Sequence, residues 1–296
     1  MHRGAGLAAI GLGVSLAALG LWQLTTRHAV EIGQWLQQAS LRQAGLVEDH
    51  AHGPAGQVHY YVGGSGPPVV LVHGFTDRGS GWYRVVPHLV KDHRVVVVDL
   101  PGHGASPVPT GGLDFVALVE GVRAVLRDVV ADEPVTLVGN SMGGWVGLRL
   151  AVENPELLRQ LVLVNSAGLW WPVPRESVLP TNRAGVEAKI FGITAGRGQE
   201  VPPLILDQLV NYHQRRQFGE LFDSIRDDDY VDGRLSEVTV PADLVWGTED
   251  PWFPVEYAER LASRYPGAEL HLLDGCGHAP QVACVDELVS VLSEVL

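Results

Sequence analysis

The chain has 296 residues, 46% of them hydrophobic, which is ample apolar material for a sizeable core. Its 21 basic and 34 acidic residues give a net charge of −13, which repels phosphate backbones and leaves no basic face for nucleic acid. The two cysteines, Cys276 and Cys284, are too few for a disulfide framework and show no metal-ligand spacing with the 12 histidines. Both read as small thiols, buried or free, and no metal site is expected.

The amino terminus is the compositional outlier. Residues 4–26 carry no charge, and GAGLAAIGLGVSLAALGLW lies between Arg3 and Arg27. A run of about 20 apolar residues is long enough to cross a bilayer as a helix, so residues 1–26 are expected to be a signal anchor. The competing expectation is a cleaved signal peptide, since Ser15 and Ala17, or Ala18 and Gly20, place small residues at alternate positions. Arg3 precedes the span, whereas Arg27 and Arg42 are offset by Glu31 and Glu48, an asymmetry that predicts a catalytic domain outside the cytoplasm. Residues 27–55 read as a helical juxtamembrane linker. Val30, Ile32, Trp35, Leu36 and Leu41 recur there at loosely helical spacing, which suits either a helix on a lipid surface or a plain connector.

From residue 56 strands and helices alternate. QVHYYV, PPVVLVHG, RVVVVD, VTLVG and LRQLVLVN read as strands, with helices near WYRVVPHLVKD, from Leu113 to Val130 and after Ser141. Continuous Val/Leu runs predict strands buried on both faces, hence a mostly parallel sheet with helices on both sides. The rhythm breaks over 167–238, where Pro, Arg and Asp are enriched and PPLILDQLVNYHQRRQ and FGELFDSIRDDD read as helices. It resumes with VPADLVWG, VEYAERLASRY and AELHLLD. The predicted architecture is an α/β core over 56–166 and 239–296, with a helical cap at 167–238 covering the carboxyl edge of the sheet, where such sheets bind ligands.

The chemistry concentrates at that edge. Gly139-Asn140-Ser141-Met142-Gly143 fits the G-x-S-x-G pattern between a strand and a helix, which lifts the serine hydroxyl to a helix amino terminus. A glycine-rich turn with an incidental serine would look the same in isolation. The decisive residues lie downstream, because a serine needs a base and a group that orients the base. WGTEDPWFP offers Asp250 at a strand end, and LLDGCGHAPQ offers His278 in a glycine-flanked loop after the last strand. Glu249, Asp274 and Asp99 are rival acids. Asp250 is preferred over Glu249, which should point the opposite way, and over Asp274, which shares the loop of the base. Asn165, at another strand end, has no carboxylate to offer. HGF at 73–75 supplies the turn from which the backbone N–H of Phe75 joins that of Met142 as an oxyanion donor. His73, and Asp99 and His103 in DLPGHGAS, read as structural.

HGF, DLPGHG, GNSMGG, WGTED and CGH, in this order, resemble an α/β-hydrolase fold enzyme over roughly residues 56–296, and GNSMGG with LVNSAGLW and an apolar amino terminus is similar to membrane-associated bacterial lipases and monoacylglycerol-lipase-like hydrolases. The resemblance implies Ser141 as nucleophile, His278 as base, Asp250 as orienting acid and no cofactor. Haloalkane dehalogenases and epoxide hydrolases of this fold carry aspartate where Ser141 stands and are disfavoured. Carbon–carbon hydrolases of aromatic degradation share GNSMGG-like elbows and are the enzymatic alternative; a non-catalytic anchored binding protein is the alternative of another class. The expected substrate is a carboxylic ester of an apolar acyl chain, because Trp170, Trp171, Leu204, Ile205, Leu206, Leu209, Val210, Phe218, Leu221, Phe222 and Ile225 make the cap strongly apolar. Trp170 and Trp171 are the candidate substrate-binding residues.

Overall fold

In the computed structural model the described residues are 28–129, 133–197 and 200–296. Five Val/Leu-rich segments and their neighbours form one sheet of eight strands: β1 Val47–Gly53, β2 Gly56–Gly64, β3 Pro68–Val72, β4 Arg94–Val98, β5 Val135–Asn140, β6 Leu158–Val164, β7 Ala242–Gly247 and β8 Glu269–Leu273. Their order is β1-β2-β4-β3-β5-β6-β7-β8. The pairs β1–β2 and β2–β4 are antiparallel and the others parallel. Strands β3 to β8 therefore end on one edge, and the loops that follow them meet there.

Side chains alternate across a strand, and the alternation sorts the core into two layers. Val70, Val72, Val96, Val98, Leu137, Leu161, Leu163, Leu244 and Trp246 face one side, under Phe115–Val129, Met142–Glu153 and Val255–Arg264. Val69, Leu71, Val95, Val97, Val138, Val162, Val164 and Val245 face the other, under Leu41, Trp82, Val86, Leu89 and Val285–Val295. The doubly covered parallel sheet agrees with the architecture expected from the Val/Leu runs. Between β6 and β7 the chain forms helices Arg175–Val178, Arg183–Thr194, Pro203–His213 and Arg216–Ser224, with two short 3₁₀ turns, Asp227–Asp229 and Leu235–Glu237, after the last.

Two features differ from expectation. Strand β1 lies inside the stretch read as a helical linker: it pairs with β2 from Val47↔Val62 to Gly53↔Gly56 across the two-residue turn Pro54-Ala55. Only Ala51 of β1 is buried, so its residues carry almost none of the apolar alternation that marks a strand. The helix before it, Ala29–Gln43, covers 15 residues and includes Glu31 and Arg42. No helix among the described residues is long and apolar enough to cross a membrane. That finding overturns the membrane-anchored localisation: a bilayer core needs about 20 apolar residues in a helix. The segment 1–26, read as an anchor or signal peptide, lies outside the described residues.

Candidate active site

The site begins with the turn between β5 and helix Met142–Glu153. Ser141 occupies it with φ 54° and ψ −119°, a conformation that costs a residue with a Cβ of the order of 1–3 kcal/mol and persists only where neighbours enforce it. They do so through four backbone bonds. Ser141 N donates to Val164 O at 3.0 Å, and Ser141 O accepts from Gly144 N, Trp145 N and Ala167 N, each at 3.1 Å. The glycines follow from the same crowding. A Cβ on Gly139 would lie 2.5 Å from Gly143 C, one on Gly143 2.3 Å from Val72 O, and one on Gly144 2.2 Å from Ser166 Oγ. No side chain fits at any of the three.

The turn after β3 runs directly against this elbow. A Cβ on Gly74 would stand 3.0 Å from Ser141 Cβ, so the HGF turn brings the Phe75 backbone beside the serine. The Phe75 ring packs edge-on against Phe218 at 6.0 Å and near Phe222 at 6.3 Å, both from the inserted helices. His73 is fully buried, donates from Nδ1 to Gly74 O at 2.8 Å and accepts from Leu100 N at Nε2 at 3.0 Å. Burial lowers its pKa, so the imidazole stays neutral and holds this turn to the one after β4. His103, bonded to Pro101 O, is pushed down to about 3 by burial and then by His73. Burial alone would raise the Asp99 carboxyl, but bonds from His59 Nδ1 at 2.9 Å, Gly79 N at 2.7 Å and Ala105 N at 2.9 Å hold it low. All three residues brace the loops.

His278 sits in the loop after β8. Its Nδ1–H donates to Asp250 Oδ2 at 2.7 Å. Asp250 is 4% exposed, whereas Glu249 and Asp274 are exposed, so the carboxylate against the imidazole is that of Asp250. Its oxygens are fully used. Oδ2 also accepts from Asn165 Nδ2 at 2.7 Å, and Oδ1 accepts from the backbone N–H groups of Trp252 at 2.9 Å and Phe253 at 3.1 Å. Four N–H donors hold the carboxylate in a single orientation. The His278 ring stands edge-on to Trp252 at 4.7 Å and 5.7 Å from Phe253, an apolar collar around the imidazole. Its backbone is tied to the elbow: Asn140 Nδ2 donates to both His278 O and Val164 O at 3.0 Å, and Gln281 Nε2 donates to Asn140 Oδ1 at 2.9 Å.

Four features here were not foreseen. Cys276 and Cys284 are not free thiols but a disulfide, Cα–Cα 6.0 Å, enclosing the His278 loop; eight residues of separation gave no sign of the pairing, which depends on how the loop folds back. In the sequence Asn165 reads only as a position lacking a carboxylate. Its amide instead bridges Asp250 and Gly247 N, at 3.1 Å to the latter. Trp252 and Phe253 were visible in WGTEDPWFP but carried no assigned role. Lys189, on helix Arg183–Thr194, is 7% exposed and reaches Thr76 Oγ1 at 2.8 Å. The candidate substrate residues are less central than expected. Trp170 is exposed, its backbone N–H donating to Asp232, and Trp171 packs edge-on against Tyr257 at 5.5 Å. Among the described residues, Asp243, Glu269 and His271 could in principle gather on a cation, but His271 Nε2 and Gln160 Nε2 already occupy the two Asp243 oxygens.

A central parallel sheet, a strained serine at a strand-to-helix turn and a buried carboxylate–imidazole pair on later loops of the same edge define a hydrolase class. The chain belongs to the alpha/beta hydrolase family, whose model matches residues 69–291. It is 29% identical over 265 residues to a 2-hydroxy-6-oxononadienedioate/2-hydroxy-6-oxononatrienedioate hydrolase of Dechloromonas aromatica, covering 81% of this chain and 90% of that one. It is 26% identical over 242 residues to a monoacylglycerol lipase of Xenopus laevis, covering 73% and 71%. The fold is also similar to the crystal structure of a bacterial membrane phospholipase A, with TM-score 0.78, 22% identity and coverage of 98% and 97%.

Proposed function

We propose that this hydrolase cleaves carboxylic esters of apolar acyl chains, monoacylglycerols included, through an acyl-enzyme on Ser141. The observation that carries the reading is the Asp250–His278 pair at 2.7 Å on the sheet edge where Ser141 stands. In this mechanism His278 Nε2 takes the proton of the Ser141 hydroxyl as its oxygen attacks the ester carbonyl. Asp250 keeps the other proton on Nδ1 and supports the imidazolium, held in place by Asn165. The backbone N–H groups of Phe75 and Met142 receive the oxyanion, the second at the amino end of a helix. Collapse expels the alcohol, protonated by His278, and a water activated by the same imidazole frees the acid and the serine. No step calls for a cofactor.

The acyl preference is supported by the inserted helices. Phe218 and Leu221 are fully buried, and Phe75, Phe218, Phe222, Tyr212 and Leu179 form an apolar cluster against the turn beside Ser141. Each methylene moved from water into such a site contributes about 0.8 kcal/mol. Trp170 and Trp171 then belong to the outer wall. The Dechloromonas relative favours a second reading, hydrolysis of a carbon–carbon bond in a ring-cleavage dienone. One assay separates the two. The full chain is offered esters from acetyl to medium-chain acyl groups and one such dienone, beside Ser141→Ala. The proposal requires kcat/KM to rise from acetyl to medium chains and to vanish in the variant. Efficient dienone cleavage with negligible ester turnover would replace it with the second reading.

A further inference from the structure

Helix Arg183–Thr194 belongs to the insertion, yet it is bonded to both loops that the proposed mechanism uses. At Lys189 its side chain ties the insertion to the core: Nζ donates to Thr76 Oγ1 of the core at 2.8 Å and to Val178 O of the insertion at 2.7 Å. Three residues later, about 4.5 Å along the axis, its carbonyls receive the base loop, with His278 N on Gly192 O at 3.0 Å and Ala279 N on Ile193 O at 3.1 Å. A Cβ on Gly277 would meet Gly192 O at 2.6 Å, so helix and loop are in direct backbone apposition.

Two details make the Lys189 bond more than packing. Burying an ammonium is costly, and a Leu or Met would fill the same volume without that cost. The lysine is nonetheless buried, its pKa drawn down to about 7 by desolvation against the opposing pull of Asp77. Its acceptor also needs holding. Thr76 is a β-branched residue at φ 60°, in the left-handed region such residues avoid, and it directly follows Phe75. A peptide in that conformation keeps its direction only while its neighbours over-determine it.

We propose that Lys189 is a positioning residue: its bond to Thr76 fixes the turn so that the Phe75 backbone N–H faces the oxygen of the tetrahedral intermediate at Ser141. The inference rests on the ester-hydrolase reading. Lys189 touches no reacting atom; it sets the register of the oxyanion turn from the same helix that accepts the base loop.

The test uses the full chain with Lys189→Met, Thr76→Ala, their double variant and Thr76→Ser, read by steady-state kinetics on medium-chain esters and by the rate of Ser141 labelling with a fluorophosphonate. Lys189→Met and Thr76→Ala each lower kcat and the labelling rate roughly tenfold to hundredfold, with KM changed by less than about threefold. The double variant falls no further than the single ones. Thr76→Ser keeps the acceptor and retains kcat. If Lys189→Met does not fold, Thr76→Ala against Thr76→Ser decides the matter alone. Unchanged kcat in both folded variants overturns the proposal, as does a loss confined to KM for anionic substrates, which would make Lys189 a substrate ligand. A wild-type chain that neither hydrolyses esters nor labels at Ser141 overturns the underlying reading instead.

Discussion

Asn165 and His278 meet on one oxygen: both donate to Asp250 Oδ2, each at 2.7 Å. The amide thus occupies the lone pair that a second histidine or a water would otherwise take, and it does so from the end of a different strand. Replacing it takes a donor away from a buried carboxylate. Asn165→Leu, of similar volume, leaves His278 as the one donor to Asp250 Oδ2 and should lower kcat about tenfold. Asn165→Asp sets a second carboxylate against Asp250 where the amide donated and should lower kcat at least as far. Steady-state kinetics of the three proteins on a medium-chain ester measure both effects.

Groups that act as a unit lose activity as a unit. Ser141→Ala, His278→Ala and the double variant should reach a common floor of ester turnover, a loss of roughly 10⁴ to 10⁶. Asp250→Asn should fall close to it, while Glu249→Gln and Asp274→Asn, which alter exposed carboxylates, keep most activity. Additive losses for Ser141 and His278 in the same ester assay would disprove the assignment.

The Cys276–Cys284 link closes a short loop of the core, and both sulfurs are buried. On loop-closure entropy a disulfide of this span contributes about 2–3 kcal/mol. Cys276→Ala with Cys284→Ala should therefore lower the urea midpoint, measured by tryptophan fluorescence. The many backbone ties of His278 predict that the folded variant keeps its ester turnover within about threefold.

Burial lowers the pKa values of His73, His103 and His213, the last two to about 3. An unfolded histidine binds its proton near pH 6.5, so on acidification the unfolded state takes up protons that the folded state refuses. Each such group makes stability fall by up to about 1.4 kcal/mol per pH unit between about pH 6.5 and its folded value. Urea midpoints measured from pH 7 to pH 4.5 should drop steeply, and His103→Phe, placed against Phe218, should flatten the slope.

The fold is legible in the sequence where burial writes a pattern. Runs such as VVLV and RVVVV announce doubly covered strands, and GNSMGG announces a turn with no room for Cβ atoms. β1 is illegible for the converse reason: as an edge strand with only Ala51 buried, it keeps polar residues on both faces. That Asp250 faces inward and Glu249 outward can be anticipated because strand geometry sets neighbouring side chains on opposite sides. Asn165, Lys189 and the disulfide could not be anticipated, since each depends on which loop meets which. Lys189 lies 113 residues from its acceptor, and no local spacing encodes that distance.

Asn140 joins the elbow to the base loop through His278 O and Gln281, and to the neighbouring strand through Val164 O. The serine and the imidazole are therefore carried by one block of structure rather than by two independent loops. Heat cannot loosen one and spare the other: inactivation and loss of tertiary structure should coincide in a single transition, and the molecule should have no warm, folded, idle form.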